Sequence, residues 1–151
     1  MQRWIAAGVL AMMLFLGGSY FAYRTYQENR PHPIWVPLPI NPELPSAKCK
    51  EIMDNLLAKL REPEILINVS KDVGLVKKWN LPNDEACAKE LDRRLFVRIG
   101  EADTPMGKVP AIHVGVKGKV KESAVSGQIA TRLMDDVWKI LGIKPPEKKE
   151  S

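Results

Sequence analysis

The stretch "AIHVGVKGKVK", Ala111 to Lys121, decides how the rest of the chain is read. Ile112, Val114, Val116, Gly118 and Val120 point one way, and Ala111, His113, Gly115, Lys117, Lys119 and Lys121 the other. A period of two is that of a strand with one face on a core. The other face is expected to be basic, and the run is either one long strand or a hairpin turning near Lys117 and Gly118.

Downstream, Val125, Ile129, Leu133, Val137, Ile140 and Leu141 make a helical stripe, which Gly142 is placed to end and Pro145 and Pro146 prevent from resuming. Residues 143–151 read as a disordered tail. Upstream, "LFVRI", Leu95–Ile99, reads as a second strand. The eleven residues from Gly100 to Pro110, with two glycines and two prolines, read as a loop long enough to bind something. Asn83 is placed to cap a helix carrying Cys87, Leu91 and Leu95, and Ser46 one carrying Cys49, Ile52, Met53, Leu56, Leu57 and Leu60. Pro63 is expected to end that first helix. "EILINV", Glu64–Val69, then reads as a buried strand, followed by a short helix with Val73, Val76 and Trp79. The expected fold is an α/β (α+β) domain over residues 46–142, a three- to four-stranded sheet packed with three to four helices.

Two segments precede it. Residues 1–27 contain a run from Trp4 to Tyr23 with no charged residue. At about 1.5 Å per residue it reaches roughly 30 Å, the thickness of a bilayer's hydrocarbon core. Trp4 at one end and Tyr20, Tyr23 and Tyr26 at the other resemble interfacial aromatic belts, and the run extends past Gly17 and Ser19, where a signal peptide would be cleaved. Residues 4–23 are therefore expected to be a retained single-pass anchor in a lipid bilayer. Residues 28–45 hold Pro31, Pro33, Pro37, Pro39, Pro42 and Pro45. That density predicts a semi-rigid polyproline II stalk, roughly 46 Å long at about 3.1 Å per residue. Its apolar residues Ile34, Trp35, Val36 and Leu38 suggest docking into a groove of a partner or of the chain's own domain.

Charge excludes more than it identifies. The chain carries +5. From Ser46 onward, 20 Lys and Arg stand against 16 Asp and Glu, a spread-out +4 that argues against a nucleic-acid partner. Cys49 and Cys87 are the only cysteines; read as a disulfide, they would close a loop of about 39 residues and contribute roughly 4 kcal/mol. A bridge implies an exported domain, which places the anchor in the inner (cytoplasmic) membrane with the C-terminal domain in the periplasm or otherwise outside the cytoplasm.

No constellation for catalysis, metal or cofactor is legible: His113 is the domain's only histidine, and neither a Walker-type loop nor G-x-G-x-x-G occurs. The best candidates for binding are the basic face, His113, Lys117, Lys119 and Lys121, and the apolar tract, Ile34, Trp35, Val36 and Leu38. Anchor, stalk and small domain together resemble the general layout of energy-transducing envelope proteins such as the TonB and TolA families. Separately, "KVPAIHVGVKGKV" followed by "AVSGQIATRLMDDVWKIL" is similar to the strand, turn, strand and helix that close thioredoxins. That resemblance implies a cis peptide before Pro110, and without C-x-x-C it implies a redox-inactive relative. The function expected first is a non-catalytic protein-binding or assembly subunit of the envelope. The alternatives are the thioredoxin-like domain and a module that binds lipid headgroups or cell wall through its lysine face.

Overall fold

A computed structural model describes residues 2–105 and 107–143; the side chains of residues 2–11 and 14–16 are not among those described. Strand β3, Gly107–Val116, is central to a three-stranded antiparallel sheet. On one side it pairs with β2, Leu95–Thr104, and on the other with β1, Ile34–Pro39. Its inner half, Ala111–Val116, is buried on both faces. Pro110 falls where β1 stops, so its missing N–H costs no ladder bond inside the three-stranded region.

β1 corrects the stalk expected at residues 28–45. Ile34, Val36, Leu38 and Ile40 face the core, while Pro33, Trp35, Pro37 and Pro39 face outward. The backbone follows the same parity: His32 N–H donates to the Gly118 carbonyl at 2.8 Å and Ile40 N–H to the Pro110 carbonyl at 3.0 Å, so even-numbered residues bond to β3. All four prolines from Pro31 to Pro39 have odd numbers, where an N–H would point to solvent. Proline therefore costs this edge strand nothing and seals its outer side. The domain accordingly begins near residue 30, not at 46.

The helices are α1, Gln2–Glu28; α2, Ser46–Leu60; α3, Pro63–Val73; α4, Leu75–Trp79; α5, Asp84–Arg94; and α6, Ser123–Leu141. Leu56 and Leu60 of α2, Leu66 and Val69 of α3, Cys87 and Leu91 of α5, and Ile129, Leu133 and Val137 of α6 form one core with Leu38, Leu95, Ile112, Val114 and Val116 of the sheet. α3 corrects the strand expected at Glu64–Val69. Pro63 opens a helix at its first position instead of ending the previous one, and Leu66, Val69, Ser70 and Val73 then recur on one face up to Gly74, whose φ of 71 closes it. β-Branched content at Ile65, Ile67 and Val69 is overridden by that packing. Ser46 is the first residue of α2 and makes no side-chain cap, contrary to expectation; Pro45 precedes it and its carbonyl accepts from Lys48 and Cys49 N–H. Asn83 does cap α5, accepting from Ala86 N–H at 2.8 Å, and Gly142 ends α6 with φ 66.

The expected loop at Gly100–Pro110 is instead the end of a long β2–β3 hairpin turning between Thr104 and Gly107, with Thr104 Oγ1 donating to the Gly107 carbonyl at 2.7 Å. The thioredoxin resemblance is not met: "KVPAIHVGVKGKV" supplies one strand and a 3-10 turn at Val120–Glu122, and no described peptide bond is cis. The run Trp4–Tyr23 lies in α1, largely on residues whose side chains fall outside those described. Among the described residues no helix is long and apolar enough to cross a membrane. The tail beyond residue 143 also lies outside them.

Candidate functional site

Because the core helices occupy one face of the sheet, the other face carries its own layer of side chains. Trp35, Pro37 and Pro39 of β1, Ala111, His113 and Gly115 of β3, and Phe96, Arg98 and Gly100 of β2 share it by register. Two glycines make the layer possible. Trp35 lies across Gly115, and the His113 ring lies across Gly100, where a Cβ would come within 2.5 Å of Cε1. Trp35 and His113 stack at 5.7 Å with planes 15° apart. The Arg98 guanidinium sits 4.8 Å from the Trp35 ring centre and 5.6 Å from that of Phe96, a cation between two π faces.

His113 is only 7% exposed. Its Nε2 is 2.9 Å from the Glu101 carbonyl oxygen, which can only accept, so Nε2 carries the proton. Nδ1 is buried without a partner among the described residues. The ring is thus a packing element under Trp35, held by its bond to the Glu101 carbonyl. Among the described residues no three of His, Cys, Asp and Glu are grouped to hold a metal ion.

The expected basic face does not assemble. His113 is inside the strand, whereas Lys117, Lys119 and Lys121 lie beyond its end, in the turn and the 3-10 helix. Pairing stops because β2 begins opposite Val116, where α5 ends: Lys117 N–H donates to the carbonyl of Arg94, the last residue of that helix. The three lysines instead form a rim at the end of the sheet where α1 arrives. Of the apolar tract, Ile34, Val36 and Leu38 are turned to the core, and Trp35, 39% exposed, to the open face. Cys49 and Cys87 are free, buried thiols. Cys49 sits in the first turn of α2, which packs on β2 and α6, and Cys87 in α5, which packs on α3 and α4.

Two ion networks are structural. Arg94 bonds Glu90 at 2.7 Å and Glu122 at 2.8 Å and covers the Trp79 ring, tying α5 to the 3-10 turn. Arg132 joins Asp72 and Asp136, tying α6 to α3. Burial opposes the ionisation of Glu90, but the Arg94 and Arg93 guanidiniums outweigh it and hold the carboxyl below its ordinary range.

Sequence reading missed the two edges. β1 is sealed by proline; β2 is not. Even-numbered residues of β2 bond to β3, so the backbone groups of Val97 and Ile99 point away from the sheet and take no partner among the described residues, while the Glu101 carbonyl accepts from His113 Nε2–H. Ile99 on this edge is 48% exposed, beside exposed Arg98. A cleft of about 430 Å³ opens at its start, between Pro31 and Pro33 of the β1 side and Phe96, Arg98 and Lys117. The signal was present as odd-numbered prolines in one strand and none in "LFVRI". Compared with protein-family models, curated proteins and solved structures, the chain shows no match.

Proposed function

We propose that this chain is a single-pass, membrane-anchored, non-catalytic adaptor whose small domain holds an extended segment of a protein partner along β2, in the cell envelope. The observation that carries the reading is the asymmetry of the sheet's two edges. An open edge is a hazard that folded proteins blunt with proline, charge or cover. Here one edge has proline at every outward position from Pro31 to Pro39 but for Trp35, while the other offers two successive outward backbone positions, Val97 and Ile99, without a partner among the described residues, the isoleucine half-exposed. Strand addition uses such an edge: main-chain bonds supply affinity, and side chains flanking the strand supply selectivity. Phe96 and Arg98 stand beside it for that purpose. Anchoring is supported by the uncharged run Trp4–Tyr23 within a 27-residue helix.

The test copies the protein's own device. Ile99→Pro removes only an outward N–H and leaves the β2–β3 ladder intact, so the fold is retained by circular dichroism. A photo-crosslinker at Val97 in intact cells is expected to give one discrete adduct that Ile99→Pro abolishes and Ile99→Thr preserves. The same crosslinker at Pro37 gives none. An adduct unaffected by Ile99→Pro removes the strand-addition reading. Extraction of the full chain from membranes by carbonate removes the anchoring part.

A further inference from the structure

Because α1 runs straight into the sheet, the anchor cannot hold the domain at a distance. We infer that the rim formed by Arg30, Lys117, Lys119 and Lys121 seats the domain on the anionic phospholipid headgroups of the bilayer that holds α1; this rests on the anchoring proposed above.

Only five residues separate Glu28, the end of α1, from Ile34, the start of β1. They are tied down: Val120 N–H donates to the Arg30 carbonyl at 3.1 Å, His32 N–H to the Gly118 carbonyl at 2.8 Å, and Pro31 pairs with Lys119. The turn after β3 is therefore pinned beside the helix exit. Arg30 and the three lysines are exposed and form no ion pair among the described residues. The two acids nearest in sequence are already engaged, Glu28 by Arg24 and Glu122 by Arg94, each at 2.8 Å. Between Lys119 and Lys121 stands Val120, 42% exposed. Arg30 lies over the ring of Tyr26, and Tyr20, Tyr23 and Tyr26 are exposed on the last turns of α1. Four unneutralised cations around an apolar knob, at the level of tyrosines suited to a membrane interface, are complementary to anionic headgroups. The opposite end of the sheet, at Lys108, lies about 30 Å away along β3 at roughly 3.3 Å per residue.

The full chain, reconstituted into vesicles with about a third phosphatidylglycerol, tests this with a fluorophore on Val120→Cys and quencher-bearing headgroups. Cys49 and Cys87 are buried and stay unlabelled in the native protein. Strong quenching is expected at position 120 and little with the fluorophore on Lys108→Cys. Each lysine near an anionic surface is worth about a five-fold change in the seated-to-free ratio, so K117Q/K119Q/K121Q lowers it about a hundred-fold, and replacing the anionic lipid with phosphatidylcholine lowers it at least as much. If quenching at 120 is equal in both lipids, or absent while the chain resists carbonate, the rim does not read headgroups, and an acidic protein partner takes its place. If carbonate extracts the chain, the anchoring has failed and this inference falls with it.

Discussion

Gly115 sets how closely two strands approach. A methyl group there would lie 2.2 Å from the Ile34 carbonyl oxygen and 2.7 Å from Trp35 Cα, both backbone atoms that cannot step aside. Gly115→Ala is therefore expected to push β1 away from β3 and to cost about 3 kcal/mol, measured as a lower urea midpoint. At Gly100 the three atoms nearest such a methyl all belong to the His113 ring, so Gly100→Ala should displace that ring from its bond to the Glu101 carbonyl and leave the spacing of β1 and β3 unchanged. Glu90 makes a different prediction. Its folded-state pKa lies below the ordinary 4.5 because two guanidiniums outweigh burial, so its contribution to stability is present above that value and is lost as pH falls through the folded pKa. Glu90→Gln should be less stable than the wild type at neutral pH, and the two should converge in acid, as read by denaturant titrations at several pH values.

At the scale of the element, β1 turns on parity. Val36→Pro places a proline where the N–H bonds to β3 and should cost about 2 kcal/mol or more, because a ladder bond is lost in the sheet interior. Pro37→Ala restores an outward N–H and should leave stability nearly unchanged while raising self-association in concentration-dependent sedimentation. This parity also explains what the sequence conveyed and what it hid. α6 was legible because its apolar stripe, glycine stop and following prolines agree, and α5 because Asn83 caps where the stripe begins. The first half of β2, Leu95–Ile99, was legible as an apolar run and the buried half of β3 from alternation, whereas Gly100–Thr104, the second half of β2, read as loop. α3 was not, since Pro63 serves equally to end one helix or begin the next, and only the core contacts of Leu66 and Val69 decide. β1 was hidden by its proline count, which averages out the alternation of Ile34, Val36, Leu38 and Ile40 beneath it. The basic face was misplaced for a related reason: alternation continues in sequence through Lys121, but strand pairing depends on neighbours, and these run out at Val116.

At the scale of the whole molecule, the position of β1 moves the boundary of the folding unit and makes that boundary testable. Leu38 is 5% exposed and in the core, Val36 and Ile40 pack against that core, and Ile34 is half-buried. Burying an apolar side chain fully is worth about 1.5–3 kcal/mol, so Leu38 with the three partly buried residues contributes on the order of 5 kcal/mol. A domain of this size has only about 5–15 kcal/mol in total. Removing the strand also strips β3 of one ladder and opens its even-numbered backbone groups between Ile112 and Val116, in a stretch with high β propensity and no charge. A chain beginning at Arg30 is therefore expected to unfold in one cooperative urea transition as a monomer. A chain beginning at Ser46 should be unfolded or aggregated under the same conditions. Equal midpoints for the two would mean that residues 30–45 contribute nothing to the core, and the sealed edge, the open edge opposite it and the short link to α1 would all lose their basis. The difference between the midpoints thus measures how tightly the helix exit is coupled to the sheet.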